Sequence, residues 1–246
     1  MQKLQKRLTK RERRVLKQQG VDLSQQTFSN TLREIKPLTI TQARTFKAFD
    51  NDKHLVLHGL AGTGKSFISL YLALQEVLSG ASDYEKIVVI RSVVPTREMG
   101  FLPGSIKEKI KVYEAPYEKI CSDLFSRGDS YSILKSKNYL EFTSTSFIRG
   151  LTYDDCIIIV DEIQNMTFHE LDSIVTRVGE NCKIIFCGDY KQSDLQRDND
   201  KHGLLDFIKI LRAMDMFEYI EFGEQDIVRS NFVKQYIIQK NRLNLS

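Results

Sequence analysis

Apolar residues follow two rhythms along this chain, and their alternation predicts an α/β fold. Short runs at Leu55-Val56-Leu57, Lys86 to Arg91, Tyr139 to Phe142, Cys156 to Val160, Lys183 to Cys187 and Tyr219 to Phe222 read as buried strands. Between them the apolar positions spread to helical spacing. Phe67, Leu70, Tyr71, Leu74, Val77 and Leu78 make one such face, which Gly80 ends. Further helices are predicted up to Phe49, from Leu204 to Leu211, and near the C-terminus with Val233, Tyr236, Ile237 and Ile238 inward. The stretch from about 92 to 137 is too long for a simple loop and is expected to hold a helical insertion over the strand ends. Residues 1–35 carry only a thin stripe of Leu4, Leu8, Val15 and Leu16. They read as a basic extension, helical or disordered, ahead of a single domain over residues 36–246.

The first predicted strand runs into Gly59-Leu60-Ala61-Gly62-Thr63-Gly64-Lys65-Ser66, which meets the pattern G-x-x-x-x-G-K-[ST] at every fixed position. Glycines let a backbone turn tightly enough to point successive N–H groups into one concavity, where a triphosphate can accept from them. The helix that follows puts its positive end there as well. Lys65 is then placed to neutralise β/γ oxygens, and Ser66 to offer its hydroxyl to Mg2+. ATP and Mg2+ are therefore the expected cofactors.

Two later strands end in chemistry that such a site needs. The run Cys156 to Val160 leads straight into Asp161-Glu162. A magnesium nucleotide site uses one carboxylate to hold the hydrated metal and another to polarise water, so Asp161 suits the first role and Glu162 that of general base. The run Lys183 to Cys187 leads into Gly188-Asp189-Tyr190-Lys191-Gln192, where Gln192 is a candidate γ-phosphate sensor. Gln42, shortly before the first strand, carries an amide that can read the adenine edge. Tyr113 and Tyr117, among Lys107, Lys109 and Lys111, could stack on single-stranded nucleic acid, or simply pack.

Charge adds a partner class. Eight basic side chains against the single acid Glu12 give residues 1–20 a charge of +7, so with a net charge of +4 the rest of the chain balances at −3. The basicity belongs to the tail, which suits attraction to RNA or single-stranded DNA or a solvated arm. Cys121, Cys156, Cys182 and Cys187 form no C-x-x-C pair and are expected to be buried and reduced rather than metal ligands or disulfides. No apolar run is long enough to cross a bilayer and the N-terminus has no apolar signal core, so no membrane association and a cytoplasmic location are expected.

Taken in order, GLAGTGKS, GFLPGSIKEKI (100–110), FIRGLT (147–152), VDEIQN (160–165), TRVGENCKIIFCGDYKQSDL (176–195) and DIVRS (226–230) resemble the PhoH-like ATPases, a family named for phosphate starvation and found in bacteria and phages. The resemblance covers about residues 36–240. It implies a RecA-like P-loop NTPase core related to superfamily 1 helicases, with a mainly parallel sheet and helices on both faces. It matches Gln42 to an adenine-contacting Gln, Lys65 and Ser66 to the phosphate and Mg2+ ligands, Asp161 and Glu162 to the acidic pair, and Gln192 to the sensor. Arg229 matches an Arg near the end of the core and is taken as an arginine finger. Ser105, Gln196 and Ser230 depart from the family pattern, which touches partner-binding loops rather than hydrolysis.

A superfamily 1 helicase draws its arginine from a second motor domain that this chain is too short to contain. Arg229 is thus expected to serve a neighbouring subunit in a homo-oligomeric ring, such as a hexamer, or else to pair locally with Asp226 or Glu224. The fused nuclease domain that some relatives carry is not expected, because residues 1–35 are too few for it. Two function classes follow. One is an oligomeric ATPase acting on RNA or single-stranded DNA, helicase-like, with Arg149 in the contact surface. The other is an ATP-binding switch or assembly protein without translocation.

Overall fold

Six strands form one sheet in the computed structural model, which describes residues 31–51, 53–93, 106–189 and 198–243. The strands are β1 (His54–Gly59), β2 (Lys86–Arg91), β3 (Leu140–Ser144), β4 (Cys156–Asp161), β5 (Lys183–Gly188) and β6 (Phe217–Phe222). Their spatial order is β3-β2-β4-β5-β1-β6, and every neighbouring pair is parallel. All six therefore end on the same edge. β5 lies between β1, which carries the glycine loop, and β4, which carries the acidic pair.

The continuous apolar runs follow from this arrangement, because a parallel sheet covered on both faces buries successive side chains on opposite sides. Leu55, Leu57, Ile87, Val89, Ile157, Ile159, Ile185 and Cys187 enter one core. Helices α1 (Ile40–Phe49), α2 (Lys65–Leu78), α3 (Ile106–Phe125) and α4 (Ser130–Ser136) cover that face. Val56, Val88, Ile90, Ile158, Val160, Ile184 and Phe186 enter a second core beneath α5 (Phe168–Val175) and α6 (Asp198–Ala213). The last helix, α7 (Asn231–Arg242), lies beside the glycine loop through Leu60, Ile227, Ile237 and Ile238. The chain thus has the RecA-like arrangement of a parallel sheet with helices on both faces.

Local devices hold the elements that frame the sheet's C-terminal edge. Thr39 caps α1 by accepting from the Gln42 N–H, and the buried Lys183 ammonium donates to the Phe49 and Asn51 carbonyls at the other end of that helix. Thr167 and Glu170 form a capping box at the start of α5. Glu170 also accepts from Ser92 Oγ at 2.9 Å and Thr145 Oγ1 at 2.6 Å. One carboxylate therefore ties the segments that leave β2 and β3 to the helix after β4.

Several sequence expectations lie outside the described residues: the basic side chains of the first 30 positions, GFLPG with Ser105, and the Gln192 and Gln196 segment. Two helices, α3 and α4, occupy most of the stretch between β2 and β3. Among the described residues no helix is long and apolar enough to cross a membrane. All four cysteines are free; Cys182 is half-exposed and its sulfur sits 3.6 Å from that of Cys156, a proximity that their spacing in sequence did not signal.

Candidate functional site

β1 stops because its glycine is pressed against its neighbour. A Cβ on Gly59, which has φ +115°, would overlap the Phe222 carbonyl oxygen of β6. Gly62 (φ +74°) and Gly64 (φ +87°) then turn the chain into α2. These glycines are required for different reasons, and the difference is measurable. Gly59→Ala must push one strand backbone from another and is expected to cost about 4 kcal/mol or more of stability. The atoms nearest a Cβ on Gly62 belong to the Arg229 and Ile237 side chains, the nearest at 3.0 Å, so Gly62→Ala should cost about 1–2 kcal/mol and leave a folded protein. Urea denaturation of the two variants checks the ranking.

The loop arranges its own polar groups. Lys65 donates from Nζ to the Gly59 carbonyl at 2.7 Å and the Leu60 carbonyl at 2.8 Å. Burial lowers its pKa from the ordinary lysine value, while nearby Cys187, Asp189, Glu162 and Asp161 oppose that shift. Thr63, fully buried, donates to the Leu60 carbonyl at 3.0 Å. Gln42 reaches the loop from α1: its Nε2 donates to the Thr63 carbonyl at 3.1 Å and its Oε1 accepts from the Leu38 N–H at 2.7 Å. The amide of Gln42, 3% exposed, thus braces the loop from both its ends.

Across β5, the acidic pair meets this loop. Ser66 Oγ donates to Asp161 Oδ1 at 2.8 Å, joining the first turn of α2 to the end of β4. Asp161 Oδ2 accepts from the Tyr117 hydroxyl at 2.7 Å. Glu162 follows with φ +57°, a left-handed backbone that costs a non-glycine residue about 1 kcal/mol or more and re-aims the side chain after the strand. Gln164 Nε2 donates to Glu162 Oε2, and Gln164 Oε1 accepts from the Asp189 N–H at 3.1 Å. Burial, with Asp161 alongside, holds the Glu162 pKa above the usual carboxylate value.

Sequence reasoning missed three members of this site. Gln164 ties the base candidate to the end of β5. Arg91, at the end of β2 and level with Asp161 in the ladder, lies 5.8 Å from the Tyr113 ring centroid and opposes the rise in the Glu162 pKa. Tyr117 is the third, and here the structure decides for packing over stacking. Its ring is 1% exposed, near Phe142, and so cannot stack on nucleic acid. Burial, then Asp161, raises its pKa well above the ordinary phenol, so it stays a donor. Tyr113 is partly buried against the same core, while Arg149 is exposed after β3 between exposed Phe147 and Leu151.

Arg229 lies on its own chain's loop, its side chain against Gly62. Its local alternatives have other partners: Glu224 pairs with Arg242 and Asp226 accepts from the Gly223 N–H. Arg229, Lys65, Ser66, Asp161, Glu162 and Gln42 all line one cavity of about 950 Å³. Its donor set fits a metal-bound nucleotide: a glycine cradle at a helix start, a lysine, and a hydroxyl in contact with a carboxylate. Ser66 and Asp161 are the residues that would hold the metal.

The profile of the PhoH family, described as PhoH-like protein, matches residues 34–240. Protein PhoH of Escherichia coli K12 is 32% identical over 191 residues, covering 77% of this chain and 53% of that protein. A PhoH-like protein of Bacillus subtilis 168 is 33% identical over 187 residues, covering 76% of this chain and 57% of the relative. The chain thus spans about half the length of the curated relatives it matches. Among solved structures, the large terminase of a thermophilic bacteriophage aligns at a TM-score of 0.49 with 12% identity, over 82% of this chain and 50% of that one. Pif1 helicase from Candida albicans aligns at 0.40 with 17% identity, over 85% and 44%.

Proposed function

The chain belongs to the PhoH-like family of P-loop NTPases, and from that premise we propose that it is a Mg2+-dependent ATP hydrolase that acts, as a homo-oligomer, on RNA or single-stranded DNA. One observation carries the hydrolase reading. The Ser66 to Asp161 contact puts a hydroxyl and a carboxylate together on the cavity wall, with Glu162 next in the chain and Lys65 one residue before Ser66. Bound Mg2+ would neutralise phosphate charge and orient the phosphates. The chain's own groups do the rest: the loop and α2 N–H groups hold phosphates, Lys65 leaves the Gly59 and Leu60 carbonyls for them, and Glu162 accepts the proton of the attacking water. Water activation falls to Glu162 because Asp161 already accepts two hydrogen bonds.

Exposed Phe147 and Arg149 support a nucleic-acid surface, since the loop after β3 leaves the same sheet edge that carries the cavity. Phe232 (82% exposed), Tyr236 (63%), which its spacing had placed inward, and Leu243 just past the end of α7 support self-association beside the cavity, and they also suit the second reading, an ATP-controlled assembly protein. ATP turnover with added single-stranded RNA or DNA separates the two. We expect at least about a fivefold stimulation that falls as salt rises and weakens in Arg149→Glu. A rate indifferent to both polymers would leave assembly as the output.

A further inference from the structure

The Tyr117 hydroxyl is placed where no motif puts a functional group. It comes from α3, a helix outside the glycine loop and the acidic strand, and its partner lies 44 positions further along the chain. The contact is buried at both ends, with Tyr117 1% and Asp161 4% exposed. Its ring is held in the apolar layer shared by α2 and α3, with its centroid 5.6 Å from that of Phe142. Pro116 precedes it inside α3 and lines the cavity; a proline there gives the helix no N–H for the Val112 carbonyl, which loosens the ladder at the turn that faces the site.

A lone carboxylate at a strand end rotates about its terminal torsion, which has no sharp minimum. Asp161 does not have that freedom. Ser66 takes Oδ1 at 2.8 Å and Tyr117 takes Oδ2 at 2.7 Å, from opposite elements. The Tyr117 bond leaves Oδ1 facing the α2 hydroxyl, which is the side where a cation shared with Ser66 must sit. We infer that Tyr117 is a positioning residue of the divalent-cation site: it orients the Asp161 carboxylate and makes cation affinity depend on the seating of α3. The inference rests on the cavity taking a metal-bound nucleotide.

The test reads binding rather than turnover. The affinity of a fluorescent, non-hydrolysable ATP analogue is titrated in EDTA and in Mg2+, and the ratio of the two dissociation constants is compared between wild type and Tyr117→Phe. That substitution keeps the ring. Losing one hydrogen bond to an ionised acceptor is expected to shrink the ratio about tenfold. A ratio within twofold of wild type would overturn the inference alone. A wild-type protein that binds equally with and without Mg2+ would overturn the reading of the site, and the inference with it. A second measurement keeps the inference open to refutation even where Tyr117→Phe folds poorly: 3-fluorotyrosine at position 117, observed by fluorine NMR, should shift when Mg2+ is added to the nucleotide-bound protein. A resonance that ignores Mg2+ overturns the proposal.

Discussion

Replacing Glu162 with Gln is expected to lower kcat for ATP about a thousandfold, with nucleotide affinity within about twofold of wild type. The substitution keeps the volume and the hydrogen-bonding reach of the side chain and removes only its ability to take a proton. The surroundings of Glu162 make the effect large. Its left-handed backbone and the Gln164 amide fix where the carboxylate points, and burial with Asp161 alongside makes it a stronger proton acceptor than a free glutamate. Pre-steady-state hydrolysis together with binding of a fluorescent nucleotide separates the two constants. Normal turnover by Glu162→Gln would move the base elsewhere in the cavity.

Arg229→Ala should be comparably severe. An arginine that compensates charge on the transferred phosphoryl group contributes about a thousandfold or more. The position of the residue also decides how the loss behaves in mixtures. Arg229 is exposed and its stem lies against Gly62 of its own chain, so mixing Arg229→Ala with Glu162→Gln subunits shows which site it serves: an arginine that acts on its own site restores nothing. Recovery of activity in the mixture would mean that the arginine serves a neighbour.

What could be read from sequence was local. The glycine loop, the helix after it and the acidic pair at the end of β4 are contiguous, and each is stated by adjacent residues whose backbone demands or charges leave few alternatives. The buried strands were visible for the same reason, since a strand covered on both faces is apolar at every position. Contacts between distant segments had no such signal. Nothing around Tyr117 distinguishes a packed ring from one whose hydroxyl meets Asp161, and basic neighbours made a surface role plausible. Gln164 stands inside a recognisable motif, but its two bonds reach Glu162 and Asp189 at once, and only the neighbouring ends of β4 and β5 bring those together. The side taken by Arg229 depends on how α7 folds back over the loop, which its amphipathic pattern does not encode.

The order of the strands also sets when the loop can exist. β1 ends at Gly59, yet its partners are β5, which begins at Lys183, and β6, which begins at Phe217. A chain emerging from the ribosome therefore presents GLAGTGKS long before the strand partners of β1 exist, and Gly59 cannot meet Phe222 until β6 has been made. Non-local pairing of this kind is slow and comes late. If the chain hydrolyses ATP as proposed, a nascent or truncated copy that lacks β6, and with it the strand against which Gly59 is set, is expected neither to consume ATP nor to compete for it.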